Sequence, residues 1–202
     1  MRFVKPFLMA VAMATATLAA PAASAQPAQS ATVIVVDYNE IISTSVAGRD
    51  LQTKLQQIGQ AMDTELRPEA TALETEQTRL RTATNGMTPQ QIQANAQLRG
   101  QIEALEQRAV TFRNRQVTMG RDMEYTRQMA ITEFNRLITP SVQAVMQARN
   151  AGVVLDASAT QLISPSVNAT ADVKARIDQS VRSVTVTRQA APAQQQAPQQ
   201  PR

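Results

Sequence analysis

The sequence predicts an α+β fold: a long antiparallel helical hairpin, a coiled-coil arm, standing on a small β base. Three observations carry that expectation. Residues 46–149 hold a helical pattern broken once, at Asn85-Gly86-Met87-Thr88-Pro89. On both sides of the break, apolar residues recur in alternating steps of four and three, the seam of a left-handed supercoil. Short β-branched runs, Val33-Ile34-Val35-Val36 and Val153-Val154-Leu155, flank the arm.

The tip at residues 85–89 carries a stop and a start. Gly86 reaches the left-handed conformation of a helix C-cap without steric cost. Thr88 is placed as an N-cap, Pro89 as the first helical residue, and Gln91 as the partner that closes a capping box. The return limb presents Leu98, Ile102, Leu105, Ala109, Phe112, Gln116, Met119, Met123, Thr126, Ala130 and then Phe134 or Leu137. The outward limb answers with Leu51, Leu55, Ile58, Met62, Leu66, Ala70, Leu73 and Leu80. Folding the chain at Gly86-Met87 sets Leu55 beside Met119, Leu51 beside Met123 and Val46 beside Arg127. At ~1.5 Å per residue, Val46 to Thr84 makes an arm roughly 55 to 60 Å long. Residues 128–149 then lack a partner on the outward limb, so Met129, Phe134, Leu137, Ile138, Val142, Val145 and Met146 are expected to be covered by the base. Pro140 is expected to kink or interrupt the helix there.

Residues 1–25 read as a secretory signal: Arg2 and Lys5, an apolar run from Phe7 to Ala20 too short to span a bilayer, and cleavage between Ala25 and Gln26 after a small-residue site. The mature protein is expected to be exported to the periplasm as a soluble chain. The base is assigned to residues 26–45 and 150–188. Within it, Asp37 is expected to cap a short helix over Tyr38–Thr44 with Glu40 completing a capping box, and Thr170 to cap a helix carrying Val173, Ile177 and Val181 on one face. Gln161-Leu162-Ile163 is a candidate third strand, and Val184-Thr185-Val186-Thr187 alternates like a strand. Residues 189–202, rich in Ala, Gln and Pro, are expected to be disordered.

Composition excludes several chemistries. The chain has no cysteine and no histidine, so it offers no disulfide, thiol nucleophile, imidazole base or common zinc site. No catalytic residue, metal site or cofactor is expected. The glycine-rich loop that cradles a nucleotide phosphate is missing too. Carboxylate pairs such as Asp122 and Glu124 stand two apart on a helix, point to different sides, and read as solvated surface. The formal net charge of +4 falls by two when Arg2 and Lys5 are removed, too little to argue nucleic-acid binding.

A few short strands leave unpaired edges, and the apolar run over Val33, Ile34, Val35 and Val36 invites pairing with another chain. The unpaired edges, and the small core that a two-helix arm leaves to a single chain, are both remedied if several copies pool these residues with Val153, Val154 and Leu155 into one closed base. Self-association follows from that physics; copy number does not.

Taken in order, these segments resemble the Skp/OmpH family of periplasmic chaperones. The matching pieces are Val33-Ile34-Val35-Val36-Asp37, a short helix, Ala47-Gly48-Arg49 opening a long arm, and a return arm. Gly152-Val153-Val154-Leu155-Asp156-Ala157-Ser158 follows, then a closing helix after Ala171-Asp172-Val173. The resemblance runs roughly from Thr32 to Val181. It implies a homotrimer with a shared barrel base and three arms around a cavity, holding unfolded outer-membrane proteins without ATP. The arms alone suit equally a structural coiled-coil spacer or adaptor that binds one folded envelope partner.

Three features bear on how clients would be held. Seven arginines, Arg79, Arg81, Arg99, Arg108, Arg113, Arg115 and Arg121, face only Glu103 and Glu106 over residues 79–121. This basic outer half is suited to acidic unfolded clients or an anionic membrane surface, with Arg79, Arg81, Arg113 and Arg115 as candidate contacts, although a solvated coiled-coil face would look the same. Met87 is expected to be exposed at the tip and to touch clients, whereas Met62, Met119, Met123 and Met129 read as packing. Pro68 and Gly100 weaken their helices by roughly 3 and 1 kcal/mol and are candidate hinges.

Overall fold

A computed structural model describes residues 32–192; the expected signal segment, its expected cleavage site at Ala25 and Gln26, and residues 193–202 lie outside the described residues. The elements run β1 (Thr32–Val36), α1 (Tyr38–Thr44), α2 (Val46–Ala83), α3 (Pro89–Ala94), α4 (Ala96–Ala148), β2 (Ala151–Asp156) and α5 (Thr170–Ser180). The fold is α+β, mostly helical, with one small parallel sheet.

β1 pairs with β2 in parallel, Val33 opposite Val153 and Val36 opposite Asp156. On its other side β1 meets the irregular segment before α5: the Val35 N–H donates to Val167 O at 2.8 Å and the Ala169 N–H to Val35 O at 2.8 Å. β1 is therefore covered on both sides, and Ile34, Val35 and Val36 are buried, whereas β2 keeps an edge that pairs with no other strand among the described residues. Gln161-Leu162-Ile163 forms no strand. Leu162 is 95% exposed, so the expected third strand does not form.

α1 and α2 are joined by one residue with two tasks. Ser45 ends α1 and caps α2, its hydroxyl accepting from the Gly48 N–H at 3.0 Å. The turn brings Gly48 against α1 so closely that an added Cβ would run into the Ile42 carbonyl. Only glycine fits there. Asp37 caps α1 as expected by accepting from Glu40 N, but its own N–H donates to Thr170 Oγ1 at 2.9 Å instead of closing a box with Glu40. Thr170 is thus spent on α1 and does not cap α5, whose N-cap is Ala169.

At the tip, Gly86 adopts φ +78°, and the Thr88–Gln91 capping box forms with both of its hydrogen bonds. The helix that starts there lasts one and a half turns. Asn95 ends α3 and starts α4, accepting from the N–H groups of Gln97 and Leu98. This second break moves the turning point, so the ion pairs between the limbs fall four to seven residues, one to two helical turns, from the expected register. A fold at Gly86-Met87 would set Arg108 opposite Glu65; Arg108 instead meets Glu69 at 3.0 Å, and Glu65 meets Arg115. α4 then continues through Pro140 to Ala148 without the expected interruption. Asn150, at φ 51°, takes the left-handed conformation that turns the chain into β2.

The core lies at the root. Phe134, Ile138, Val142 and Val145 of α4 pack with Ile34, Val36, Ile41, Leu51, Val173 and Ile177. Val184 completes this cluster, fully buried. It belongs to an extended segment that leaves α5 at Val181 and runs back over α2 and α4. The alternation over 184–187 is real, but the segment joins no sheet. Gln189 and Ala191, expected to be disordered, are instead hydrogen-bonded to α4; the remainder of that expected tail lies outside the described residues.

Candidate functional site

The described residues hold no group of three or more acidic side chains placed to bind a metal. What the hairpin offers is shallow apolar relief distributed along its length. At the root, Ile42, Leu51, Leu55, Gly59, Met123 and Ile131 line a groove of about 600 Å³. It shares Ile42 and Ile131 with a neighbouring recess of about 540 Å³ lined by Tyr38, Ile138, Val142, Met146 and Val154. Burial first, and then the Asp156 carboxylate, raise the Tyr38 phenol above its ordinary range. Tyr38 therefore stays neutral and presents a hydrogen-bonding tip in a wall that also carries Asn39, Asn135, Thr139, Gln143 and Asp156.

Further out the arm is two helices and nothing else. Leu66, Leu73, Leu98, Ile102, Leu105, Ala109 and Phe112 are half-buried and Ala70 is exposed, because each helix covers only one stripe of the other. Leu80, buried near the tip, is the exception. Leu73, Leu105, Ala109 and Phe112 outline a recess of about 420 Å³. Val110 and Val117, one heptad apart on α4, are 43% and 60% exposed; periodicity places them off the seam and gives no reason to mark them.

The nominated client contacts are distributed unevenly. Arg79 is held by Glu76 at 2.7 Å and Arg115 reaches Glu65 at 3.8 Å, whereas Arg81 and Arg113 make no ion pair among the described residues. Glu76, in turn, is held below the ordinary carboxylate range, first by its hydrogen bonds from Arg79. The five-charge excess is thus partly neutralised locally. Met87 is half-buried at the turn, its N–H donating to Thr84 O at 3.1 Å, so it is less available than an exposed tip residue. Pro68 and Gly100 are exposed and sit inside unbroken helices. At the base, the free β2 edge presents Val153 and Leu155, 40% and 41% exposed, while Val154 is half-buried.

Asp122 departs from the solvated surface group that its spacing suggests. It is 8% exposed and accepts from the Ala191 N–H at 2.9 Å. The contact joins residues 69 apart, so no local pattern could announce it.

The described residues thus form an α+β protein in which a long helical hairpin with shallow recesses joins a base whose β2 edge pairs with no other strand. Residues 32–177 match the family described as outer membrane protein (OmpH-like), and the chain belongs to that family. Its fold is similar to a crystal structure of a candidate outer membrane chaperone, OmpH-like, from Caulobacter crescentus CB15, with TM-score 0.66, 24% identity, and coverage of 82% of this chain and 94% of that one. No curated protein matches the sequence. No described helix is long and apolar enough to cross a membrane.

Proposed function

We propose that this chain is an ATP-independent periplasmic holdase that keeps unfolded outer-membrane proteins soluble between the arms of an oligomer. The observation that carries the reading is the outer arm, whose seam stays half-open from Leu66 to Leu73 on one limb and from Leu98 to Phe112 on the other. An unfolded client needs many weak apolar contacts, none strong enough to trap it, and such contacts release without an energy source. The chaperone description of the Caulobacter relative supports the same reading.

The base supplies the oligomer. Val153 and Leu155 on the free edge of β2, backed by Val33, Ile34, Val35, Val36 and Val154, are the groups a neighbouring copy would cover, and the family resemblance favours three copies. Arg81 and Arg113, without an ion-pair partner among the described residues, are the stronger members of the cationic set for acidic clients or an anionic membrane surface. Arms that bend at Pro68 and Gly100 would accept clients of different size.

The test is suppression of aggregation. Several unrelated denatured outer-membrane proteins should remain soluble at about one oligomer per client, without nucleotide. Protection of none, with tight binding to a single folded envelope protein, would replace the holdase with a spacer or adaptor.

A further inference from the structure

Beyond residue 177, where the family match ends, the chain carries a strap with a fixed part and a loosely held part. The fixed part is Val184. Its side chain is fully buried, its N–H donates to Asp50 Oδ2 at 2.9 Å, and its carbonyl accepts from Lys54 Nζ at 2.7 Å. From Thr185 onward the strap runs extended across α4, and its side chains are mostly exposed.

What holds this outer part is mainly the backbone. The Gln189 N–H donates to Thr126 Oγ1 at 2.9 Å and the Ala191 N–H to Asp122 Oδ1 at 2.9 Å. Thr126 and Asp122 are buried polar groups, 1% and 8% exposed, aimed at a main chain. Bonds of this kind read no side chain, so any extended polypeptide could make them. Arg188 adds a charged anchor, reaching Glu65 at 3.0 Å and Asp122 at 3.8 Å. It lies at a partly exposed surface, where ion pairs contribute little.

The seat is also underfilled. Between Val186 and Thr187 of the strap and Thr126, Met129, Ala130 and Glu133 of α4 lies a recess of about 150 Å³. Met129 is 43% exposed and flexible enough to close on a larger side chain. Val186 turns inward while Thr185 and Thr187 turn out, the same alternation that marks a strand of a membrane β-barrel.

We propose that this face of α4 is a track for one extended polypeptide strand with alternating apolar residues, occupied in the free protein by residues 185–191 and yielded to a strand of an unfolded outer-membrane protein. The proposal rests on the holdase reading for the identity of its occupant. The strap then swings about Val184, and Thr126 and Asp122 transfer their hydrogen bonds from the strap to the incoming main chain.

Because the chain has no cysteine, a single Ala190→Cys substitution in the full chain places one spin label on an exposed strap residue. The probe is a synthetic peptide with the sequence of residues 184–192 carrying Phe at the position of Val186, compared with a scrambled peptide whose apolar residues are adjacent. The alternating peptide should mobilise the label and the scrambled one should not. Adding Val186→Phe to the labelled chain should raise the peptide concentration needed roughly tenfold, the value of burying one ring in the recess. A label that stays immobile at saturating peptide, or responds equally to both peptides, overturns the track. A denatured outer-membrane protein kept soluble without mobilising the label would overturn the track and leave the holdase standing. Release by peptide without any protection from aggregation would do the reverse.

Discussion

The root and the outer half of the arm are made of the same two helices with the same four-three spacing, yet they are packed differently. At the root, Leu51 and Ala130 are 2% and 3% exposed, because α1, α5 and the strap add a further layer around the pair. Beyond Met62 and Met119 the added layer stops, and the same seam pattern leaves Leu66, Leu73, Leu105 and Phe112 half-open. A heptad repeat specifies which residues face each other; how dry they become depends on what else arrives. Stability therefore belongs to the root, and openness to the outer arm.

The largest expected contrast is a pair of truncations. Phe134→Ala, at a fully buried site, should cost about 3–5 kcal/mol in denaturant unfolding, and Leu105→Ala, on the half-open seam, no more than about 1.5. Equal losses would mean that the outer seam is as dry as the core. Next comes Gly48→Ala. A methyl group there meets the α1 backbone, which cannot step aside as a flexible side chain can, and the expected loss is about 2 kcal/mol. A neutral result would contradict the tight α1–α2 approach.

Acid should separate the two regions as well. Asp50 is held below the usual aspartate range by its hydrogen bond from Lys54 first and by the Val184 N–H next, with burial opposing. Because its folded value lies below the unfolded one, its contribution is complete above the ordinary aspartate range and is lost as pH falls through the folded value. Amide exchange at Val184 should therefore accelerate at low pH, and Asp50→Asn should remove that dependence. Glu76 is also held low, but its partner Arg79 lies one turn away on the same helix, so its protonation should loosen no long-range contact.

The smallest effect expected is Gly100→Ala. Nothing lies within 4 Å of the added Cβ, so the outer arm should gain about 0.5–1 kcal/mol. If Gly100 is a hinge, the range of client sizes protected from aggregation should narrow at the same time.

Legibility in the sequence follows the range of the interactions. The Thr88–Gln91 capping box and the Asp37 cap act over three residues, and both can be read directly. The register of the arm cannot, because one side chain, Asn95, closes α3 and opens α4, and its effect reaches every pair along the hairpin. The strap shows in the sequence only as an alternating run. Its partners, Asp50, Thr126 and Asp122, lie on helices 63 to 134 residues away, where no periodicity points. An unpaired edge can be read from the shortness of the sheet, but the sequence points to Val33–Val36, whereas β1 is flanked on both sides and the edge without a strand partner among the described residues belongs to β2.

The mass in solution of the chain from Gln26 onward, measured by light scattering with and without a denatured outer-membrane protein, tests the central claim most directly. A trimer whose mass rises by one client chain is the expected result. A compact monomer that takes up no client would contradict it, since neither the β2 edge nor the half-open arms would then have anything to cover them.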